Sequence, residues 1–402
     1  MKLLHLTPEL PYAPGGTGGA TRQFELLRRL AARGHDVAVV APVGPGQRQG
    51  AQSLAAAGIA LHAPVRPSSR VAETLRALAE RPVLAPRAAW RPVTAWQVDV
   101  FWTRLRRAAR AAIAGRQPDV IVVEHDWAAA WRADLPPDVP AALTLQNLSW
   151  RYYEARAEVA TGVERALLRA EARRYARHDR RELGRYDLLI TMSDADLEPL
   201  EALVPVRAIA IPNGVDTAAR RTGPSPAGPP TVLFTGTLDY PPNLEALRWL
   251  LDDIWPRIRR AVPDARLDVV GRNPPAEAVA AAGEGVTFAG FVPSIDEWFA
   301  RAHVVVAPLR SGAGTKLKVL DGLASGRPVV ATPVAVEGIV ARDGDELVVA
   351  ADAGGFAGAT VRLLRDPAAR ERIGAAGRAL AERRYDWQGL AARLEAALGS
   401  LA

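Results

Sequence analysis

The chain has 402 residues, 49% of them hydrophobic, and 51 basic against 44 acidic side chains give it a net charge of +7. It has no cysteine, which excludes disulfides, thiol catalysis and thiolate metal sites. It has no run of about 18 apolar residues, so no spanning helix is expected, and its length calls for two domains rather than one core.

The positive charge is not gathered into a tail. Its densest stretch, Arg151 to Arg185, interleaves ten arginines with six acids, the pattern of a salt-bridged, solvated helix face. An arginine-rich composition accounts for the balance, and no basic ladder with interleaved aromatics suggests nucleic acid. Anionic membrane docking through Arg104-Leu-Arg-Arg107 or the 165–185 helix stays open. The N-terminus lacks the apolar core of a signal peptide, so a cytoplasmic protein is expected.

In chain order, Lys2-Leu-Leu-His-Leu-Thr7 reads as a strand, Pro11 to Gly19 as a glycine loop, Ala20–Arg33 as a helix and Val37–Pro42 as a second strand. That βαβ start is typical of doubly wound sheets. It is not a dinucleotide fingerprint: Gly15-Gly-Thr-Gly-Gly19 lacks a third glycine at the right offset, and the second strand ends without a ribose-binding acid. Further strands are predicted at 59–62, 119–124, 141–145, 188–192 and 206–211. Residues 64–100, rich in Pro and Trp, resist assignment. Trp90, Trp96 and Trp102 read as packing residues rather than acceptor contacts.

Composition breaks after Ile211. Residues 212–230 form a Pro/Gly-rich linker, and a second alternating run begins at Thr231. It predicts a helix over 243–261, strands at 267–271, 286–290 and 303–308, and helices near 354–365 and 368–382. The expected organisation is an acceptor-side domain over 1–211, a second domain over 231–384, and a terminal helix over 385–402 that crosses back to the first. The fold class is α/β, two doubly wound Rossmann-like domains facing a central cleft that suits a ligand.

The most informative stretch is Ser311 to Thr332. Gly312 and Gly314 leave the backbone free for close approach to a ligand. Thr315 can cap a helix whose apolar stripe is Leu317, Leu320 and Leu323, Gly326 suits its C-terminus, and Pro328–Thr332 reads as a buried strand. Free N–H groups at such a helix start attract phosphate. Lys316 and Lys318, two of only three lysines in the chain, add charge there, and Asp321 lies about one and a half turns further on. The same pattern is also that of an ordinary amphipathic helix.

These residues resemble a known family. Phe234-Thr-Gly-Thr-Leu-Asp-Tyr-Pro-Pro-Asn243 matches "FTGxxDYxPN", and Gly312 to Gly338 matches "GAGTxLKxLExLAxGxPVVATxxAxEG". Both are signatures of a branch of the retaining, family-four type (group 1) GT-B glycosyltransferases. The resemblance implies transfer of a sugar from a nucleoside diphosphate sugar, UDP- or GDP-linked, to a hydroxyl of a polysaccharide, lipid-linked or small-molecule acceptor. It implies retention, no metal and no cofactor beyond the donor. By position it implies a donor site of Gly236, Gly290, Phe291, Gly312, Gly314, Thr315, Lys316, Lys318 and Asp321, with Asp321 on the ribose. It implies a diphosphate or acceptor loop of Gly15, Gly16, Gly18 and Gly19. His125, in Glu-His-Asp-Trp127 at a strand end, is implied as the active-site histidine, with Lys316 as first and Lys318 as second candidate for the catalytic cation.

The sequence departs from the family twice. Ala313 stands where the first acid of Glu-x7-Glu belongs. Thr237 and Asp239-Tyr240 stand where an Arg/Lys pair follows the first strand of the second domain. Two alternatives are carried forward: a sugar-nucleotide epimerase and a non-catalytic sugar-nucleotide-binding protein.

Overall fold

The computed structural model describes residues 1–13, 17–44, 46–64, 70–87, 91–220, 222–223, 226–280, 282–312 and 316–402, with the side chains of 70–73, 76 and 87 left aside. The chain divides into two compact units, Met1–Pro212 with Leu390–Ala402, and Asn213–Gly389.

The first unit is a parallel sheet of β1 (Lys2–Leu6), β2 (Asp36–Val40), β3 (Ala60–His62), β4 (Val120–Glu124), β5 (Ala141–Leu145), β6 (Leu188–Thr191) and β7 (Ala208–Ala210), in the order β3-β2-β1-β4-β5-β6-β7. β1 pairs in register with β2 on one side and β4 on the other. The inner strands are apolar because helices cover both faces: every residue of β4 and β5 is buried. Residues 64–100, unassigned from sequence, include helices Arg70–Glu80 and Leu84–Arg87 and the start of Val93–Arg116. Trp102 stacks on Trp131 at 4.3 Å and donates to Asp134 (2.8 Å), and Trp96 donates to the Leu84 carbonyl. These two indoles pack, as expected; Trp90 lies outside the described residues. The terminal segment belongs to this unit, where Glu395 accepts from Arg33 and His35 and Arg393 donates to the Ala210 carbonyl.

The second unit is a parallel sheet of β8 (Thr231–Thr235), β9 (Arg266–Val270), β10 (Val286–Gly290), β11 (Val304–Ala307), β12 (Val329–Ala331) and β13 (Val348–Val349), in the order β10-β9-β8-β11-β12-β13. Its core gathers the buried faces of β8, β11 and β12 with Leu320 and Leu323 of the Leu317–Ala324 helix. The helix expected over 243–261 runs Pro241–Trp249, widens to a π-turn over Leu250–Ile254 and continues as Trp255–Ala261. Pro256 explains the widening. It has no N–H to donate back and its ring crowds the preceding turn, so the helix changes register there. Two-residue β13 is too short to carry a sequence signal.

The Arg151–Arg185 stretch has the salt-bridged, solvated face expected of it, its arginines exposed or half-buried and paired as in Arg156–Glu164 and Arg174–Glu171. It folds into two packed helices, Ser149–Val159 and Gly162–Glu182. The second buries His178, Asp179 and Glu182 at 5%, 1% and 2% exposure, because one side of a helix that packs must turn inward whatever its composition.

Candidate functional site

Each sheet reverses its winding once, beside its first strand, and doubly wound folds hold ligands at the strand C-termini of such a point. In the second unit the reversal falls between β8 and β11. Gly236 and Gly271 follow β8 and β9, and a Cβ on Gly271 would sit 1.6 Å from the Gly236 carbonyl oxygen. Only glycine permits that approach. Asn243, near the start of its helix, donates to the Thr237 carbonyl (2.9 Å), and its Oδ1 accepts from Lys318 Nζ at 2.7 Å. Lys318 also lies 4.8 Å from the centre of the Phe234 ring. Burial, and then the neighbouring Lys316 charge, pull Lys318 down to about 7. Lys316 donates to the Gly312 carbonyl (3.1 Å) and is lowered by burial, against an opposing pull from Glu337. Two cations thus share the start of the Leu317–Ala324 helix, whose free N–H groups add a positive end.

The other expected residues of this unit are placed as follows. Gly312 takes a φ of 119° and Gly290 one of 66°; the Gly290 carbonyl accepts from Gly271. Phe291 is 68% exposed. Asp321 spends Oδ1 on Arg220 at 2.7 Å, and Arg220 also binds Asp296 at 2.8 Å. Both acids raise the Arg220 pKa against its burial. Gly314, Thr315 and the departure at Ala313 lie outside the described residues.

In the first unit the reversal falls between β1 and β4. His125, directly after β4, has a φ of 77°, a left-handed backbone for a residue that ordinarily avoids it. Its backbone N–H donates to the Thr144 carbonyl (2.8 Å) and its ring lies 4.2 Å from that of Trp127. Neither ring nitrogen has a hydrogen bond; Nε2 comes to 3.5 Å of Glu9 Oε1. Glu9, past the end of β1, accepts from Thr17 (3.0 Å) and Gln23 (3.1 Å). Burial opposes the Glu9 charge, but His125, Thr17 and Gln23 outweigh it and hold the carboxyl below its usual range. Gln23 Oε1 in turn meets His5 Nε2 (3.0 Å), which lies 3.9 Å from Glu124. Burial lowers the His5 pKa despite Glu124 and Gln23. Gly18 opens the Gly18–Ala32 helix, capped by Thr17, and Gly19 faces Glu9; Gly15 and Gly16 lie outside the described residues. Beneath His125, Asp126 accepts from the Trp127 and Ser149 N–H groups.

The structure therefore gathers Gly236, Lys316, Lys318 and Gly312 in one unit and His125, Gly18 and Gly19 in the other. Sequence reasoning missed Asn243, Arg220, Glu9 and Gln23. Asn243 closes the quoted Pro-Pro-Asn motif and Glu9 follows the first strand, so both had a positional signal. Arg220, in the Pro/Gly-rich connector, had none. No cluster of three or more His, Asp or Glu side chains able to hold a metal, and no helix long and apolar enough to cross a membrane, occurs among the described residues.

Comparison with known proteins agrees with this architecture. Residues 16–219 match the model described as Glycosyltransferase Family 4, and residues 229–366 that of Glycosyl transferases group 1. A phosphatidyl-myo-inositol mannosyltransferase of Mycobacterium leprae (strain TN) is 35% identical over 198 residues, 46% of this chain and 52% of the relative. The one from Mycolicibacterium smegmatis is 33% identical over 200 residues, 46% of this chain and 50% of that one. The chain thus spans about half the length of the curated relatives it matches. Among solved structures, sucrose-phosphate synthase of Thermosynechococcus elongatus superposes with a TM-score of 0.72 at 18% identity, over 100% of this chain and 99% of that one. Anabaena HepE in complex with UDP superposes at 0.68 and 16% identity, over 100% of both chains. At such identities the likeness shows the fold, two Rossmann-like domains of the GT-B type.

Proposed function

The chain belongs to the family-4 glycosyltransferases, and from that premise we propose that it moves a sugar from a nucleoside diphosphate sugar to a hydroxyl acceptor, with retention and without a metal. The observation that carries this reading is the Lys316–Lys318 pair beside Gly236 and Asn243. A lysine buried beside a second lysine is costly in the free protein, because burial strips water from the Lys318 charge and the Lys316 charge repels it. A diphosphate supplies a counter-charge. Lys318, near 7 when free, gains a full charge as the phosphate arrives, and it supplies the cation that the missing Arg/Lys pair provides elsewhere in the family. Lys316 and the helix N-terminus share the developing charge on the departing diphosphate.

Asp321 serves the ribose in this reading, held in place by Arg220, and His125 serves the donor sugar. The departing phosphate oxygen accepts the proton of the attacking hydroxyl, so no protein base is required. UDP-bound HepE supports a nucleotide donor. The name of the phosphatidyl-myo-inositol mannosyltransferases supports a lipid-borne hydroxyl as acceptor, and this reading sets the reaction in glycoconjugate synthesis with the protein peripheral at a membrane.

The test is thermal melting with UDP, GDP, ADP and TDP in EDTA, followed by release of diphosphate from the matching sugar donor with a lipid extract as acceptor. One diphosphate raises the melt, since it binds only the folded state, and its sugar donor is turned over. No shift with any of the four overturns the phosphate site. A shift without turnover indicates the non-catalytic reading that Ala313 favours. Conversion of the donor's own sugar without an acceptor indicates an epimerase.

A further inference from the structure

We propose that Glu9 is the positioning residue of the first unit: its carboxylate holds the His125 ring through Nε2 and leaves Nδ1 free for a substrate hydroxyl. The inference rests on the reading of His125 as the residue that meets the donor sugar.

Two donors and the edge of the His125 ring converge on one carboxylate. Thr17 Oγ1 donates to Oε2 at 3.0 Å, Gln23 Nε2 donates to Oε1 at 3.1 Å, and His125 Nε2 stands 3.5 Å from Oε1. The main chain of Glu9 is fixed as well, since its N–H donates to Thr7 Oγ1 and its carbonyl accepts from the same hydroxyl. An ionised carboxylate only accepts, so the His125 nitrogen that faces it carries the hydrogen. In the neutral ring Nδ1 is then the acceptor; it is buried and, like Nε2, makes no hydrogen bond within the protein. A ring with a fixed tautomer and an unspent acceptor suits a sugar hydroxyl, which donates.

The glycine loop takes on a second meaning. A Cβ on Gly19 would lie 2.7 Å from Glu9 Oε1 and 3.6 Å from Gln146 Nε2. Glycine at position 19 therefore admits the Glu9 carboxylate, whatever the loop does for phosphate. Behind Glu9 the network continues inward. Turning the Gln23 amide would set its Oε1 against the Glu9 carboxylate, so its Nε2 faces Glu9 and its Oε1 meets His5 Nε2 at 3.0 Å. His5 stands against Glu124, and Glu124 accepts from Gln146. The charged and titratable groups packed around the pair are thus His5, Glu124, Asp126 and the buried Arg22, whose guanidinium donates to the Pro212 carbonyl. Glu9 is the acid of this set that reaches the His125 ring, and His125 itself sits at a left-handed φ that neighbours must hold.

The test is ring nitrogen-15 NMR of the histidines in the full chain, with the His125 signals assigned by their loss in His125→Asn. The wild type should show His125 as the Nε2–H tautomer alone. Glu9→Gln, which presents an amide N–H to the same donors, should give a tautomer mixture. It should also lower kcat for UDP or GDP release from UDP-glucose or GDP-mannose at least tenfold, with the UDP or GDP melting shift unchanged. Glu9→Asp should restore the single tautomer in part. Gly19→Ala, which pushes on the carboxylate without removing it, should repeat the Glu9→Gln effect and add little to it in the double variant. An unchanged His125 tautomer in both Glu9→Gln and Gly19→Ala overturns the proposal, and the NMR measurement needs no substrate. If His125→Ala keeps full turnover, the sugar-contact reading fails instead, and the tautomer result then stands only as a structural fact.

Discussion

Replacing Lys318 with methionine should separate stability from ligand binding. In the folded protein burial and Lys316 take the Lys318 ammonium from its ordinary 10.5 to about 7. At about 1.4 kcal/mol per pH unit, this sets ~5 kcal/mol against the charged form. The unfolded chain keeps its proton up to its ordinary pKa, so between pH 7 and about 10 it binds more protons than the fold, and stability rises with pH across that window. Lys318→Met removes the cost but leaves Asn243 Oδ1 without its donor, which returns about 1–3 kcal/mol. The expected outcome near pH 7 is a variant more stable than the parent by ~2 kcal/mol or more, seen as a higher melting temperature in the absence of ligand. The pH dependence of the melt over that window should flatten, and the diphosphate shift should vanish. Calorimetry of the wild type in two buffers of different ionisation enthalpy should show uptake of up to one proton per diphosphate above pH 7, with affinity falling as pH rises. A variant that melts lower than the parent and still responds fully to diphosphate would refute the assignment of Lys318.

Three further outcomes follow from the same structure. His125→Ala should leave the diphosphate melting shift intact and reduce donor turnover by about a hundredfold or more, the range expected of a lost contact made in the transition state; equal turnover removes His125 from the site. Gly271→Ala places a Cβ 1.6 Å from the Gly236 carbonyl oxygen, and should cost about 3 kcal/mol or more in urea unfolding because only backbone displacement relieves it; a loss under about 1 kcal/mol contradicts the glycine argument. Asp179 is buried, neither of its carboxylate oxygens has a hydrogen bond, and burial followed by the Asp126 charge raise its pKa well above the carboxylate range. Its protonated form favours the fold below the unfolded pKa near 4, and that contribution is lost as pH rises. Asp179→Asn should therefore raise the melting temperature at pH 7 to 8 and have little effect near pH 4, and the reverse order would show that the carboxylate is ionised in the fold.

Much of the fold is readable along the chain because a parallel strand covered on both faces has to be a continuous apolar, β-branched run. Leu188–Thr191, Val304–Ala307 and Val329–Ala331 are such runs, each bounded by turn residues. The helix at Leu317–Ala324 announces itself through its apolar stripe and Gly326, whose φ of 66° is the left-handed C-terminal stop the sequence suggested. The predicted strands came through within a residue or two; what escaped was the Pro- and Trp-bearing stretch 64–100, with the Arg70–Glu80 helix and the start of Val93–Arg116, and elements that are short or interrupted. Two-residue β13 has no period to detect, and the π-turn at Leu250–Ile254 arises from one proline against a helical pattern that otherwise runs on.

The candidate site divides the same way. The sequence by itself determined which residue types stand at which strand ends: a histidine after β4, glycines after β8 and β9, two lysines at one helix start. Those are local facts, and the backbone conformation they require is local too. The tertiary structure alone decided their partners. Lys318 meets Asn243 across 75 positions of sequence and Arg220 meets Asp321 across 101, while Glu9 from the first loop reaches His125 from the fourth strand. Strand order makes these meetings, because β1 lies beside β4 and β8 beside β11 only after the intervening helices have crossed over. Burial is equally a property of the packed sheet. Lys318 on a solvated helix would be an ordinary cation; enclosed by Phe234 and Asn243 and beside Lys316, it is pulled down to about 7.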